Sequence, residues 1–264
     1  MNREKQFGPS RFPEPLQNEL PEIEEKREDS VFTKGIMKIM VEQKKAGSKR
    51  EVPEILPVLI AQLRKYNGFE KEGIFRMAAP TKKVIELREQ IAAGNMDIDV
   101  QDSFVIADLF KIWLRELPEP LFGDNYAAII QLAKDESATL ARYREFFSSL
   151  NIPKEHKAVV KYVAELLLEV SEPKYSTTSK MNLRNLAIVF APTLLKPPSN
   201  IDFLVQVQNT PYETAFITKL IQSFNPDALT ISSPVAYPAS DGVAFDRAIS
   251  SLYADSYSDH KESI

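Results

Sequence analysis

The sequence predicts an all-α fold, organised as a single helical bundle. Three observations carry this. Apolar residues recur at helical spacing through most of the stretch from residue 31 to 225, while no run alternates apolar and polar residues with the turn dipeptides a hairpin needs. Glycine is scarce, 8 of 264 residues, whereas 18 prolines fall mostly between the periodic segments. No motif repeats at a fixed period, which disfavours a solenoid.

The first strong segment is Pro53–Tyr66, where Ile55, Leu56, Leu59, Ile60 and Leu63 share one face and Asn67-Gly68 supplies the stop. Thr81 opens a second, with Val84, Leu87 and Ile91 on one stripe and an end near Gly94. Asp102 or Ser103 caps a third, in which Ile106, Leu109, Phe110, Trp113, Leu114 and Leu117 follow the helical pattern. Pro118 and Pro120 end it, because each lacks a donor and biases its predecessor away from helix. Further helices are expected over 125–134, 138–150 and 154–170, then over 179–190 with Pro192 as its stop. A last one is expected to start at Thr210-Pro211-Tyr212-Glu213, which reads as a capping box with proline at the first helical position. Phe216, Ile217, Leu220, Ile221 and Phe224 would then face inward.

Composition removes several classes of chemistry. There is no cysteine, so disulfides, thiol nucleophiles and thiolate metal sites are excluded. The two histidines, His156 and His260, are far apart, which disfavours a histidine metal site or a Ser–His–Asp hydrolase. The net charge of −4 is unevenly spread. Residues 1–30 carry −3 and residues 226–264 carry −4, whereas 31–225 hold 26 basic against 23 acidic residues, or +3. That core lacks the dense basic stripe of a nucleic-acid binder. Residues 1–30, acidic and interrupted by prolines, and residues 226–264, rich in Ser, Asp and Tyr, read as flexible extensions. The polar start MNREKQF and the shortness of every apolar run give no transmembrane or export segment, so a cytoplasmic protein is expected.

Three groups of residues are candidates for chemistry. In the loop Glu72-Gly73-Ile74-Phe75-Arg76, two apolar residues can anchor the chain while Arg76 projects as a rigid, permanently charged fork suited to phosphate. The competing reading is a surface arginine paired with a nearby glutamate. Lys111 and Arg115, four residues apart on one helix face, repel each other unless an anion lies nearby; Asp108 and Glu119 would supply a purely structural alternative. Asn182 and Asn185 are mediocre helix formers within one turn, aimed either at a partner or at neighbouring backbone groups.

Taken together, three blocks resemble the Rho GTPase-activating protein (RhoGAP) domain family. They are Gly73-Ile74-Phe75-Arg76, then Lys111-x-x-Leu114-Arg115-Glu116-Leu117-Pro118-Glu119-Pro120-Leu121, then Asn185-Leu186-Ala187-Ile188-Val189-Phe190-Ala191-Pro192-Thr193-Leu194. The resemblance covers residues 31–225. It implies a helical domain that docks on a Rho/Rac-family small GTPase in its GTP-bound state and stimulates hydrolysis. By this likeness Arg76 is the arginine finger inserted in trans. Lys111 and Arg115 are the basic pair beside it, with Arg115 bracing the finger loop, and Asn185 and Pro120 contact the GTPase. Gly73 and Pro192 are architectural. No cofactor of its own is implied, since GTP and Mg²⁺ are held by the partner, and no phosphate-binding G-x-x-x-x-G-K-[ST] loop occurs. Peripheral recruitment to a membrane is compatible with this reading.

Two features depart from the family pattern. Ala78-Ala79-Pro80 stands where a flexible Ser-Gly-like pair is common after the finger, and Ala191 where glycine is common. Two other readings compete: a non-catalytic module of the same fold that captures a GTPase, and a helical scaffold for acidic lipid headgroups. The arginine at position 76 argues against the first, and the sparse positive charge of the core against the second.

Overall fold

A computed structural model of the protein describes residues 30–225. The expected extensions, residues 1–30 and 226–264, lie outside the described residues except for Ser30. Among the described residues there are ten α-helices and no strand, as expected from the hydrophobic period. In chain order they are α1 (Ile36–Lys45), α2 (Ile55–Lys65), α3 (Thr81–Ala92), α4 (Ser103–Arg115), α5 (Tyr126–Lys134), α6 (Leu140–Ser149), α7 (Lys154–Ser171), α8 (Pro173–Ser179), α9 (Leu183–Leu194) and α10 (Phe203–Phe224). No helix among them is long and apolar enough to cross a membrane.

Polar side chains set several starts. Asp102 accepts from the Phe104 amide at 3.2 Å, Thr139 from Arg142 at 3.3 Å and Asp202 from Leu204 at 2.8 Å, each satisfying a first-turn donor that has no partner within its helix. The predicted stripe of α4 is buried in full, and the Trp113 indole N–H finds the Val31 carbonyl at 2.9 Å. Packing centres on two aromatic groups. Phe75, Phe110 and Phe190 meet edge to face with centroids 5.3–6.3 Å apart, and Phe216 gathers Phe122, Tyr143 and Phe146 at 5.7–6.0 Å. α10 carries Phe216 and packs on α5, α6, α7 and α9.

Three helix boundaries differ from expectation, those at both ends of α9 and the start of α10. The segment expected as a helix over 179–190 is two elements: α8 ends at Ser179, Lys180 takes a left-handed conformation (φ +60°), and α9 starts afresh after Asn182. Pro192 does not stop α9 but lies inside its last turn. A proline there cannot give the amide hydrogen bond that the Ile188 carbonyl would otherwise accept. The capping box at Thr210 is not formed, and α10 begins two turns earlier, at Phe203. The Thr210 hydroxyl donates to the Gln206 carbonyl, and Glu213 turns inward to accept from the Tyr126 hydroxyl at 2.5 Å.

Glu213 is 4% exposed, and burial holds its carboxyl above the ordinary value of 4.5, outweighing the opposing effect of the Tyr126 hydroxyl. Because the folded value lies above the unfolded one, the stabilisation from the neutral carboxyl is complete below about 4.5 and is lost as pH rises through the raised folded value. Glu213→Gln keeps an acceptor for Tyr126 without the buried charge. Urea unfolding at a series of pH values is expected to show the variant gaining on the wild type from pH 4 to 7; parallel curves would count against a buried ionisable Glu213.

Candidate functional site

The Arg76 loop follows a short 3-10 turn, Gly68–Glu70, at the end of α2. Gly73 adopts φ +72°, a conformation that disfavours any side chain. Its amide donates to the Ser179 carbonyl at 2.8 Å, and its carbonyl accepts from the Arg76 and Met77 amides at 2.9 and 2.8 Å. Ile74 and Phe75 are completely buried. Phe75 itself sits at φ +66°, which costs a side-chain-bearing residue about 1–2 kcal/mol. That strain is held because its ring is wedged between Phe110 of α4 and Phe190 of α9. The next residue, Arg76, is exposed, and it forms no ion pair with any described residue. The competing glutamate pairing is therefore not made. The sequence of buried anchor and free arginine is a short chain segment with one charged end outward.

A Cβ built on Gly73 would lie 2.6 Å from the Met77 Cγ and 3.4 Å from the Arg76 Nη2, so the guanidinium folds back over this glycine. Gly73→Ala is expected to displace the loop while leaving the helices intact. The checks are an unchanged far-UV spectrum, and a change in the amide signals of residues 73–79 by NMR.

On α4, Lys111 and Arg115 behave differently. The Lys111 ammonium is 2.9 Å from Asp108 Oδ1, with both side chains largely buried, so this half of the structural alternative is realised. Arg115 is exposed and makes no ion pair with a described residue. Glu119 lies instead 3.5 Å from His156, and Glu116 is taken by Arg88 of α3 at 2.6 Å. The Leu117-Pro118-Glu119-Pro120 turn is pinned by buried Leu117 and Leu121, and the Leu117 carbonyl accepts from the Lys196 ammonium. Burial there lowers the Lys196 proton affinity. Pro120 is half-exposed, and its carbonyl receives the Gly123 amide at 3.0 Å.

At the start of α9 the two asparagines divide their work. Asn182 is the cap, accepting the Asn185 amide at 3.0 Å, so its side chain is spent on backbone. Asn185, half-exposed, donates its side-chain amide to the Lys180 carbonyl at 2.8 Å and fixes the left-handed turn.

Thus the three sequence blocks meet. The Phe75–Phe110–Phe190 contacts join them inside, and the Gly73–Ser179 hydrogen bond ties the Arg76 loop to the turn that Asn185 holds. Pro120 and Pro192 make no contact of this kind with the loop; each belongs to a neighbouring turn. Sequence reasoning did not single out Lys196, and it weighed Asp108 only as a partner for Lys111 and Arg115. Asp108 also accepts the Ala79 amide at 2.6 Å, 29 residues upstream. An open cavity of about 420 Å³ lined by Met40, Lys44, Arg50, Lys154 and Glu155 shares no residue with this group.

The RhoGAP domain matches residues 53–199, more than half of the chain and all three blocks. The chain belongs to the RhoGAP domain family. GTPase activating protein homolog 4 of Dictyostelium discoideum is 33% identical to it over 200 residues, covering 74% of this chain and 21% of that protein. Rho GTPase-activating protein 21 of Mus musculus is 33% identical over 184 residues, covering 67% and 9% respectively. The chain thus spans about a fifth, or less, of the length of these relatives. In three dimensions it resembles the crystal structure of human Rho GTPase activating protein 15, with a TM-score of 0.67 over 80% of this chain and 98% of that one. At 20% identity that likeness establishes the RhoGAP fold.

Proposed function

We propose that this RhoGAP domain stimulates GTP hydrolysis by Rho/Rac-family small GTPases, with Arg76 supplied in trans to the partner's nucleotide site. The observation that carries the reading is an exposed, unpaired arginine at the rim of a loop whose preceding residue is locked into the core. A small GTPase already holds the nucleotide, Mg²⁺ and a residue that orients the attacking water. What it lacks is a cation for the charge that develops on the transferred phosphoryl group. An arginine swung outward from its place over Gly73 stabilises that charge, and because its guanidinium is in no ion pair with a described residue, none must be broken first.

In this reading Asn185 and Pro120 lie on the docking surface, and Arg115 braces the loop or meets the partner. Gly73 allows the backbone turn, and Pro192 shapes the end of α9. The domain itself holds neither nucleotide nor metal, and the partner is recognised in its GTP-bound form in the cytoplasm. Mixing the purified chain with GTP-loaded Rho and Rac proteins and following phosphate release tests the reading. Unchanged hydrolysis across a broad panel would overturn it.

A further inference from the structure

We propose that Asp108 is a positioning residue for Arg76: it latches the outgoing limb of the finger loop to α4. This rests on Arg76 being the inserted arginine. The loop is held on its incoming side by Gly73 on Ser179 and in the middle by the Phe75 ring. After Arg76 the chain runs through exposed Met77 and Ala78 with no apolar anchor until α3 begins. The only side-chain hydrogen bond to the backbone of residues 77–80 among the described residues is that of Asp108 Oδ2 with the Ala79 amide, at 2.6 Å.

The carboxylate is well suited to this work. Its side chain is only 14% exposed, so water competes weakly for it, and an ionised acceptor makes the shorter, stronger class of amide hydrogen bond. Its other oxygen is held by Lys111 at 2.9 Å, which fixes the rotamer. Pro80 at the start of α3 narrows the conformations open to Ala79, so one hydrogen bond at that residue restrains the whole limb. The Ala78-Ala79-Pro80 departure from the flexible family pattern is thereby accounted for: this loop is stiff and bonded rather than glycine-loosened.

The experiment compares Asp108→Ala and Asp108→Asn in the full chain. Asparagine retains an oxygen for the Ala79 amide but loses the charge pair with Lys111; alanine loses both. Amide hydrogen exchange at Ala79, read without any GTPase, is expected to accelerate at least tenfold in Asp108→Ala and to stay near wild type in Asp108→Asn. In GTPase assays Asp108→Ala is expected to lower the stimulated kcat by about 10- to 100-fold, as misplacement of a reacting group does, with KM for the GTPase changed less than threefold. Asp108→Asn is expected to recover most of that kcat. In an Arg76→Ala background, Asp108→Ala is expected to add less than a twofold loss, because its effect passes through Arg76.

Equal losses in the two Asp108 variants would reassign the residue to the charge pair with Lys111 and overturn the proposal. So would unchanged Ala79 exchange in Asp108→Ala, or an effect confined to KM. If Arg76→Ala itself leaves stimulation intact, the functional reading fails, while the exchange measurement still decides whether Asp108 latches the loop.

Discussion

Arg76→Ala is expected to remove about 10³–10⁵ of the stimulated hydrolysis rate, roughly 4–7 kcal/mol of transition-state stabilisation. The magnitude follows from where the charge lies. Arg76 makes no side-chain ion pair or hydrogen bond with a described residue, so alanine breaks none and should leave the fold intact. Its guanidinium matters only when charge builds on the phosphoryl group inside a site that excludes water. Binding to the GTP-bound GTPase should therefore weaken only modestly, and binding to a transition-state mimic should fall part of the way. Single-turnover rates at saturating domain, together with calorimetric affinities, separate the two. A variant that kept the full rate enhancement would remove Arg76 from the finger role, and one that lost binding in parallel with rate would make it a docking residue.

Phe75→Ala is expected to destabilise the domain by on the order of 3–5 kcal/mol, the cost of removing a large buried aromatic ring. The ring is completely buried and is the one that touches both Phe110 and Phe190 from the loop side. Its removal opens a cavity where the three sequence blocks meet. Alanine also keeps the unfavourable left-handed backbone at φ +66° without the packing that holds it. A melting midpoint lower by about 2–4 °C per kcal/mol is expected for a domain of this size. Phe75→Leu, which restores much of the volume, should recover part of the loss. A midpoint unchanged by Phe75→Ala would mean that the loop is not anchored through this ring.

How much of this was legible in the sequence varies from element to element. α4 was readable because Ile106, Leu109, Phe110, Trp113, Leu114 and Leu117 form an unbroken apolar stripe with a cap before it and prolines after it. α1 was not, because Met37 and Val41 are exposed while Ile36, Ile39 and Met40 are buried, so its apolar residues do not form one stripe. The start of α10 was obscured for the same reason: Phe203, Leu204, Val205 and Val207 are all exposed. The capping box at Thr210 is a valid local signal that lost to a distant one, since Tyr126, 87 positions earlier, draws Glu213 inward.

Within the site, residue identity was readable and connectivity was not. Arg76, Lys111 and Arg115 were picked out by charge and spacing, and Asn185 by its poor helix propensity within a turn of Asn182. Their differing states depend on partners fixed only by the fold. Arg115 makes no ion pair with a described residue because Glu116 is paired with Arg88 and Glu119 faces His156, whereas Lys111 is held because Asp108 lies one turn before it. The Ala79 bond to Asp108 joins a loop to a helix and leaves no periodic trace in the sequence.

The most direct measurement is single-turnover phosphate release in three parallel mixtures: the domain with GTP, a GTP-loaded Rho-family GTPase alone, and the two proteins together at saturating domain. No hydrolysis is expected from the domain alone, slow hydrolysis from the GTPase alone, and an increase of about 10³-fold or more in the mixture. Hydrolysis by the domain alone, or a mixture no faster than its GTPase across the Rho and Rac proteins, would contradict an active site completed by Arg76 from outside.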